Sequence, residues 1–294
     1  MIQDIYPHKL DNQFHPGTPI AEEDLIFCVD PKTNAILVRA DEADLILPER
    51  REFPEGAASI YLLRMDDRNV FLMKDPRIAG ADPAAAGQTD AFLPQGFIWR
   101  TLRDLRADHA GPKHRMFLAY TALQLASWYR DNVFCGRCAH PTVHSETERA
   151  VVCPACGRTI YPRILPAVIV GVLDPENEKI LVTKYRGRGI HYNALVAGFT
   201  EIGETLEETV AREVMEEVGL KVKNIRYYKS QPWAMADDIL MGFYCDVDGE
   251  RNITMDAGEL KEAHWVTREE LELQPDQYSL TNEMMTIFKE GKVL

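Results

Sequence analysis

The spacing of apolar and polar residues predicts both strands and helices in this chain. Apolar runs that alternate or continue over a short distance predict strands at 25–29, 35–38, 59–64, 69–73, 167–173, 179–185, 225–228 and 239–247. Helical spacing occurs at 113–130, 205–218 and 281–290. Strands on both sides of the middle helix predict an α/β (α+β) fold: a β-rich first part, followed by an α/β/α sandwich with a mixed sheet.

The most informative stretch is 198–220, GFTEIGETLEETVAREVMEEVGL, which holds seven glutamates in one loop and helix. Thr205 at the N-cap and Glu208 three residues later form a capping box, which predicts where the helix begins. Gly219 suits the C-cap, so we expect the helix to end near Val218.

Helical periodicity divides this helix into two sides. We expect the core-facing side to contain Ala211, Val214, Met215 and Val218. We expect roughly the opposite side to contain Glu213, Glu216 and Glu217. Three neighbouring carboxylates repel one another, but Mg²⁺ and Mn²⁺ prefer such oxygen ligands, so the pattern indicates a divalent metal site. Arg212 is within reach of Glu208 or Glu216 at i±4 and is expected to orient one of them.

The same stretch resembles the Nudix box, G-x5-E-x7-R-E-U-x-E-E-x-G-U, in which U is a bulky apolar residue. Every defined position is filled, by Gly198, Glu204, Arg212, Glu213, Val214, Glu216, Glu217, Gly219 and Leu220. A helix whose glutamates merely face water would not need this spacing. The resemblance implies a hydrolase that cleaves a nucleoside diphosphate linked to another group.

Composition and charge narrow the functional classes. The chain has 294 residues, 46% of them apolar, and a formal net charge of −13. Because excess negative charge repels phosphates and anionic lipids, tight sequence-blind binding of nucleic acid or membrane is not expected. The sequence contains neither an 18-residue apolar run nor the basic start and apolar run of a signal peptide. We therefore expect a cytoplasmic protein.

Four of the six cysteines form two C-x2-C pairs, Cys135/Cys138 and Cys153/Cys156. Two such turns offer four thiolates in the tetrahedral arrangement that zinc prefers. A site already filled by four sulfur atoms has no open position, so the zinc is expected to be structural. The insert between the pairs lacks a basic and aromatic surface, which argues against nucleic-acid binding by this ribbon.

Together these features resemble one branch of the Nudix hydrolases, the NADH pyrophosphatase (NAD⁺ diphosphatase) family. The resemblance rests on the cysteine ribbon, on the segment 161–169 (YPRILPAVI), on the Nudix box and on Ser230-Gln231-Pro232-Trp233. It implies three domains: an N-terminal Nudix-like domain (1–130), the zinc ribbon (131–162) and a catalytic Nudix domain (163–294). The family motif S-Q-P-W-P-F-P-x-S is not followed at 234–238 (AMADD), which bears on dinucleotide preference.

The resemblance also implies roles for individual residues. Mg²⁺ or Mn²⁺ would be held by Glu213, Glu216, Glu217, Glu259 and the backbone carbonyl of Gly198. The catalytic set would be these three box glutamates together with Arg212. The substrate would be bound by Tyr161 and Phe199, which would stack the adenine, and by Gln231 and Trp233. In the family the tyrosine can come from a second subunit, which implies a homodimer.

The sequence therefore predicts metal-dependent hydrolysis of NADH or NAD⁺ to NMNH or NMN and AMP. Either Glu216 or Glu217 is a candidate for the general base. Alternatives within the class are another substrate, such as ADP-ribose or another dinucleotide, and removal of NAD caps from RNA. An alternative from another class is a non-catalytic nucleotide-binding protein, which would be favoured by degenerate box glutamates.

Overall fold

The computed structural model describes residues 1–40, 44–54, 59–73, 93–187 and 192–293. The chain divides into two compact units. One contains Gln3–Arg163, and the other contains Met1–Ile2 together with Ile164–Leu294. No helix in the described ranges combines the length and the apolar composition needed to cross a membrane.

The first unit begins with short strands and ends with a long helix. Its elements up to residue 131 are β1 (Leu10–Asp11), β2 (Leu25–Phe27), β3 (Ile36–Ala40), β4 (Leu45–Ile46), a 3₁₀ helix (Arg50–Glu52), β5 (Ser59–Met65), β6 (Arg68–Met73), β7 (Ile98–Arg100), α1 (Leu102–Ala107) and α2 (Lys113–Asp131). The strands form two sheets, ordered β1-β5-β6-β2 and β4-β3-β7. The predicted β-rich first part and the predicted helix at 113–130 are confirmed.

The same unit contains the cysteine region. Three two-residue strands, β8 (Val143–His144), β9 (Val151–Val152) and β10 (Thr159–Ile160), form an antiparallel sheet in the order β10-β9-β8. This short sheet connects the two C-x2-C turns.

The second unit is built on a mixed six-stranded sheet. Its elements are β11 (Leu165–Asp174), β12 (Lys179–Tyr185), β13 (Val196–Phe199), α3 (Leu206–Val218), β14 (Val222–Trp233), β15 (Asp238–Val247), β16 (Leu260–Val266) and α4 (Leu280–Lys289). The strand order is β14-β15-β11-β12-β16, and β13 pairs with β11. The β11–β15 pair is parallel, whereas β11 is antiparallel to β12 and β13. The predicted mixed sheet between helices is confirmed.

Each face of this sheet is covered by one helix, because successive side chains of a strand point to opposite faces. On β11, Ala167, Ile169 and Leu173 pack in the same core as α4. The alternating residues Val168, Val170 and Val172 pack in the core that includes α3. A strand buried on both faces explains the continuous apolar run in the sequence.

The helix α3 has the predicted ends but not the predicted buried side. Thr205 and Glu208 form the capping box, and Gly219 adopts the left-handed conformation at the C-cap. The buried residues are Thr209, Val210, Val214, Glu217 and Val218. Ala211 and Met215 are exposed, so their expected place in the core was wrong, and so was the outward place of Glu217. The buried side of α3 is therefore rotated relative to the prediction, and it includes the carboxylate of Glu217.

Candidate active site

The backbone of β13 approaches the side chain of Glu213 closely. Gly198 pairs with Val168 on β11. A Cβ atom added to Gly198 would overlap the carboxylate of Glu213, which comes from α3. The carboxylate of Glu213 can therefore lie at this point only because residue 198 has no side chain.

Arg212 connects the carboxylates of the box. Its Nε and Nη2 donate to the two oxygens of Glu204 at 2.6 and 2.9 Å. Its Nη1 donates to Glu213 at 2.7 Å and to Glu216 at 3.0 Å. Its Nη2 also donates to the carbonyl of Phe199 at 2.9 Å. One guanidinium thus holds three carboxylates and a backbone carbonyl of β13, in the forked geometry that Arg provides.

The expected contact of Arg212 with Glu216 is confirmed, while the alternative contact with Glu208 is not made. The Glu208 carboxylate instead accepts hydrogen bonds from the backbone N–H and the hydroxyl of Thr205. Glu204 is the main carboxylate partner of Arg212, because it accepts two of the hydrogen bonds from the guanidinium. The hydrogen bonds from Arg212, followed by the one from the Glu201 backbone, lower the pKa of Glu204 to about 2.

Glu217 is a buried carboxylate on the core side of α3. It is only 2% exposed. The hydroxyl of Tyr185 donates to it at 3.1 Å, and the backbone N–H of Ala197 lies at 3.5 Å. Burial raises the pKa of Glu217 to about 8, and the charges of Glu213 and Glu259 add to this effect. Ionising this group inside the protein is therefore unfavourable without a positive partner.

Glu213 and Glu259 belong to the same electrostatic environment. Burial raises the pKa of Glu213, the hydrogen bond from Arg212 opposes this, and the charges of Glu216 and Glu259 raise it further. Glu259 acts on both Glu213 and Glu217, although it precedes β16 and is far from α3 in the sequence. The four predicted acidic ligands are thus close enough for their charges to interact, and their role as metal ligands stays a prediction.

The chemistry of this donor set fits a hard divalent cation. Carboxylate oxygens beside a backbone carbonyl are the ligands that Mg²⁺ and Mn²⁺ prefer. A cation would also offset the cost that raises the pKa of Glu217. In the described ranges only the four cysteines place three or more ligand atoms within 4.8 Å of one another. The carboxylates, of which Glu216 is 60% exposed, must therefore rotate to converge on an ion.

The four cysteines form the second candidate metal site. Their sulfur atoms all lie within 4.8 Å of one another. Sγ of Cys135 is 3.7 Å from that of Cys156, and Sγ of Cys138 is 3.4 Å from that of Cys153. Four sulfurs around zinc at about 2.3 Å would be separated by roughly 3.8 Å, so the arrangement fits a tetrahedral zinc ion. The backbone N–H of Arg137 lowers the pKa of Cys135, which favours the thiolate.

The two aromatic residues predicted to bind adenine lie in different units. Phe199 ends β13 and is 48% exposed. Tyr161 follows β10 in the first unit and is 56% exposed. Its hydroxyl donates to Glu148 at 3.0 Å, and that hydrogen bond raises the pKa of Tyr161. Both rings present surface to solvent, and their joint role remains a prediction.

Gln231 and Trp233 lie on β14, which extends further than the sequence indicated. Gln231 is fully buried: its amide donates to the carbonyl of Tyr278 at 2.7 Å and accepts from the N–H of Leu280 at 2.6 Å. These contacts hold the N-terminus of α4. Trp233 is partly buried against the core on the α4 side of the sheet. Substrate contacts by both residues stay predictions, and the structure gives Gln231 a structural role.

Comparison with known proteins agrees with this geometry. The NUDIX domain family matches residues 163–285, and the NADH pyrophosphatase zinc ribbon domain family matches residues 130–161. The chain thus contains a Nudix domain, preceded by a zinc ribbon domain of the NADH pyrophosphatase type.

This chain is similar to individual bacterial proteins. It is 45% identical over 159 residues to the NAD-capped RNA hydrolase NudC of Salmonella schwarzengrund, and to that of Salmonella paratyphi B. Each match covers 54% of this chain and 60% of the relative, so the chain spans less than two thirds of these proteins. A crystal structure of a NUDIX hydrolase from Nitrosomonas europaea is similar with a TM-score of 0.45 and 23% identity, covering 53% of this chain and 90% of that one.

Two features of the Nudix site were not predicted from the sequence. The first is Tyr185, the last residue of β12, whose hydroxyl donates a hydrogen bond to Glu217 on α3. The sequence does show an aromatic residue at the end of an apolar strand. Its contact with Glu217 could be inferred only from the way this strand pairs in the sheet beneath α3. The dominant pairing of Arg212 with Glu204 was also missed, because the two residues are eight apart and meet only through the loop that precedes α3.

Proposed function

We propose that this chain hydrolyses the diphosphate bond of NADH or NAD⁺ and releases AMP together with NMNH or NMN. The observation that carries the proposal is one carboxylate site, organised by Arg212, in a chain that also has the zinc ribbon of NADH pyrophosphatases. The names of the Salmonella relatives support an NAD-containing substrate.

The proposed catalytic metal is Mg²⁺ or Mn²⁺, held by the carbonyl of Gly198 and by Glu213, Glu216, Glu217 and Glu259. Such an ion, when bound, neutralises charge on the diphosphate and makes the attacking water more acidic. In the proposed reaction this water attacks one phosphorus, and the bond from that phosphorus to the bridging oxygen breaks.

Several residues of the chain prepare this reaction. Arg212 fixes the positions of Glu213 and Glu216 relative to the backbone of β13 through its hydrogen bonds. Tyr185 holds the carboxylate of Glu217 from the opposite side. Glu216 or Glu217 is proposed to take the proton of the attacking water, because a general base must lie within hydrogen-bond reach of it.

The direct test is a substrate panel with product identification. Wild-type protein with Mg²⁺ or Mn²⁺ is incubated separately with NADH, NAD⁺, ADP-ribose and a diadenosine dinucleotide. The products are separated by chromatography and identified by mass spectrometry. We expect AMP and NMNH from NADH, and loss of that activity in Glu216→Gln. Glu207→Gln is the matched control, because Glu207 is an exposed glutamate at the start of the same helix.

Intact NADH together with cleavage of ADP-ribose would refute the proposed substrate but keep the proposed reaction type. Tight nucleotide binding without any turnover would instead favour the non-catalytic alternative.

Removal of NAD caps from RNA is a second candidate. The name of the Salmonella relatives favours it, while the net charge of −13 opposes tight binding of the RNA body. We expect an NAD-capped oligonucleotide to be cleaved with a kcat/KM that depends weakly on salt, because few phosphates would be contacted. A steep decline of kcat/KM with salt, together with poor hydrolysis of free NADH, would make capped RNA the better substrate.

We further propose that the chain forms a homodimer and works in the cytoplasm. The resemblance supports the dimer, since in the family Tyr161 can act on the site of the second subunit. Four cysteines reserved for zinc suit a compartment that keeps thiols reduced. Light scattering after size-exclusion chromatography tests the first proposal, and a monomer at micromolar concentration would refute it.

A further inference from the structure

A cavity of about 400 Å³ lies at one end of the sheet in the second unit. Its lining includes Leu173 and Asp174 at the end of β11 and Lys179 at the start of β12. Val168 pairs with Gly198 beside the carboxylates, and Leu173 lies five residues further along β11, which corresponds to ~16 Å. This cavity, which we name the distal cavity, is therefore separate from the candidate active site.

The size and the apolar wall of the distal cavity suit a small organic ligand. Leu173, Phe288 and Val293 line it from the α4 side of the sheet, and Pro175 adds further apolar surface. Ligand sites of about 300–1,000 Å³ commonly combine such walls with a few polar groups. A planar base fits against a wall of this kind.

Two residues that line the distal cavity each carry a polar atom without a hydrogen-bond partner in the part of the chain that the structure describes. Asp174 is only 2% exposed, and its Oδ2 accepts hydrogen bonds from Asn177 at 2.6 Å and Arg251 at 2.9 Å, whereas its Oδ1 accepts none. Burial raises the pKa of Asp174, but these hydrogen bonds lower it overall, so the carboxylate is ionised and acts only as an acceptor. The second atom is Nε of Arg268, which is a donor. Such atoms are rare in native structures, because an unsatisfied buried group is destabilising. A ligand that carries both a hydroxyl and an anionic group would satisfy both atoms.

Positive charge is available beside these atoms. The distal cavity is lined by three cationic side chains from different elements: Lys179 from β12, Arg226 from β14 and Arg268 from the segment after β16. Arg226 is bound to Asp246 at 2.9 Å. The ion pair of Arg268 with Glu178 is long, at 3.7 Å, and the Glu178 side chain is 74% exposed, so an anion can displace it. Lys179 and Arg268 are thus the groups best placed to bind an incoming anion.

We propose that the distal cavity binds a nucleoside monophosphate. The phosphate contacts Lys179 and Nε of Arg268, a ribose hydroxyl donates to Oδ1 of Asp174, and the base packs against the apolar wall. Acidic side chains bind ribose hydroxyls in dinucleotide-binding folds in the same way. Both unpartnered atoms are covered by protein in this structure, so the exposed turn at 175–178 shifts when the ligand enters. Such binding goes beyond the proposed function and does not depend on it, although the proposed products AMP and NMN belong to this class.

The test locates and counts the binding sites for AMP, which the proposed reaction does not hydrolyse. Crystals of the chain are soaked with 8-bromo-AMP, and the anomalous signal of bromine gives the position of the base. In solution, calorimetry in a buffer without chelator, Mg²⁺ or Mn²⁺ counts the AMP molecules bound by the wild type, Lys179→Met and Arg268→Met. Lys221→Met is the matched control, because Lys221 is an exposed lysine of the same unit that does not line the cavity. Thermal melting checks that each variant is folded.

We expect bromine in the distal cavity, and one AMP molecule fewer on Lys179→Met and on Arg268→Met than on the wild type and Lys221→Met. Adenosine, inorganic phosphate and 2′,3′-dideoxyadenosine monophosphate each lack at least one recognised group, so they should bind this cavity at least tenfold more weakly than AMP. Bromine at the carboxylate site alone, or an unchanged AMP stoichiometry in both variants, would overturn the proposal. Bromine in the cavity without a matching site in solution would mean binding at crystal concentration only, which also overturns it. Inorganic phosphate that binds there as tightly as AMP would show a site for the free ion instead of a nucleotide.

Discussion

The carboxylate of Glu213 lies directly beside the α-carbon of Gly198, in the space that a side chain at that position would fill. Glu213 comes from α3 and Gly198 from β13, so this contact fixes the distance between the helix and the strand at the candidate metal site. The glycine at the start of the Nudix box is required here for close approach rather than for an unusual backbone angle.

Gly198→Ala should therefore abolish most activity and leave the fold intact. The new methyl group must displace the Glu213 carboxylate, which is the flexible end of a side chain, so the backbone can stay in place. Misplacing a catalytic group by about 1 Å costs on the order of 10²-fold in rate. Steady-state kinetics and thermal melting check this. The double variant with Glu213→Ala should be no less active than Glu213→Ala alone. Additive losses would show that the glycine acts independently of Glu213.

Arg212 is expected to be needed for both activity and stability at neutral pH. Arg212→Ala leaves three carboxylates without their common donor, and Arg212→Lys cannot reproduce the fork that binds Glu204. We expect kcat/KM to fall on the order of 10²-fold in the alanine variant, with little rescue by lysine. Full rescue by lysine would show that charge alone is sufficient.

The stability effect of Arg212→Ala should depend on pH. The folded-state pKa of Glu204 is lowered to about 2, so its pairing with Arg212 stabilises the fold above the unfolded pKa. This contribution is lost as the pH falls towards 2. The melting temperature of Arg212→Ala should therefore be furthest below that of the wild type at pH 5 to 7, and the difference should shrink at pH 2.5. Arg103→Ala, which removes an exposed arginine on α1, is the control and should change the melting temperature little at either pH.

The order of strands and helices in the second unit could be predicted because local patterns determine it. The apolar run of β11, the strand β12 and the two caps of α3 are each specified within a few residues. The rotation of α3 could not be predicted, because it depends on Tyr185 and on the backbone of β13 accommodating the buried Glu217. Likewise, the role of Gln231 depends on α4, which follows almost fifty residues later.

Gln231→Met should destabilise the protein without raising KM. The substitution leaves the N–H of Leu280 without its buried acceptor, whereas the carbonyl of Tyr278 keeps a hydrogen bond from the backbone N–H of Ile2. One unsatisfied buried group costs about 1–3 kcal/mol, so we expect chemical denaturation to show a loss in this range. Gln95→Met, at an exposed position, should have little effect. A large rise in KM with unchanged stability would instead support substrate binding by Gln231, as the sequence predicted.

The cysteine cluster should hold one zinc ion for each chain. Cys138→Ser removes one of four converging sulfurs, so we expect zinc measured by atomic emission to fall from one equivalent to nearly none. The melting temperature should fall with it, because the metal stabilises the ribbon. His140→Ala, an exposed position inside the ribbon, should keep both values unchanged. Loss of zinc in His140→Ala would show that the ligand set is not four cysteines.

Asp238→Asn should stabilise the protein, and more so at high pH. Burial, with help from its own neighbour Asp237, raises the pKa of Asp238 to about 7 in the folded state. An acid whose folded pKa is raised binds more protons in the folded state, so it reduces stability as the pH rises from about 4 to 8. Asparagine cannot ionise, and we expect it to increase the free energy of unfolding by about 1–2 kcal/mol more at pH 8 than at pH 5. Asp246→Asn provides the opposite case. Burial raises the pKa of Asp246, but the hydrogen bonds from Arg226 and Asn224 lower this pKa overall. Replacing Asp246 should therefore destabilise the protein above pH 4. Denaturant titrations of both variants across this pH range decide the matter, and equal pH profiles for Asp238→Asn and the wild type would mean that Asp238 is not a strained acid.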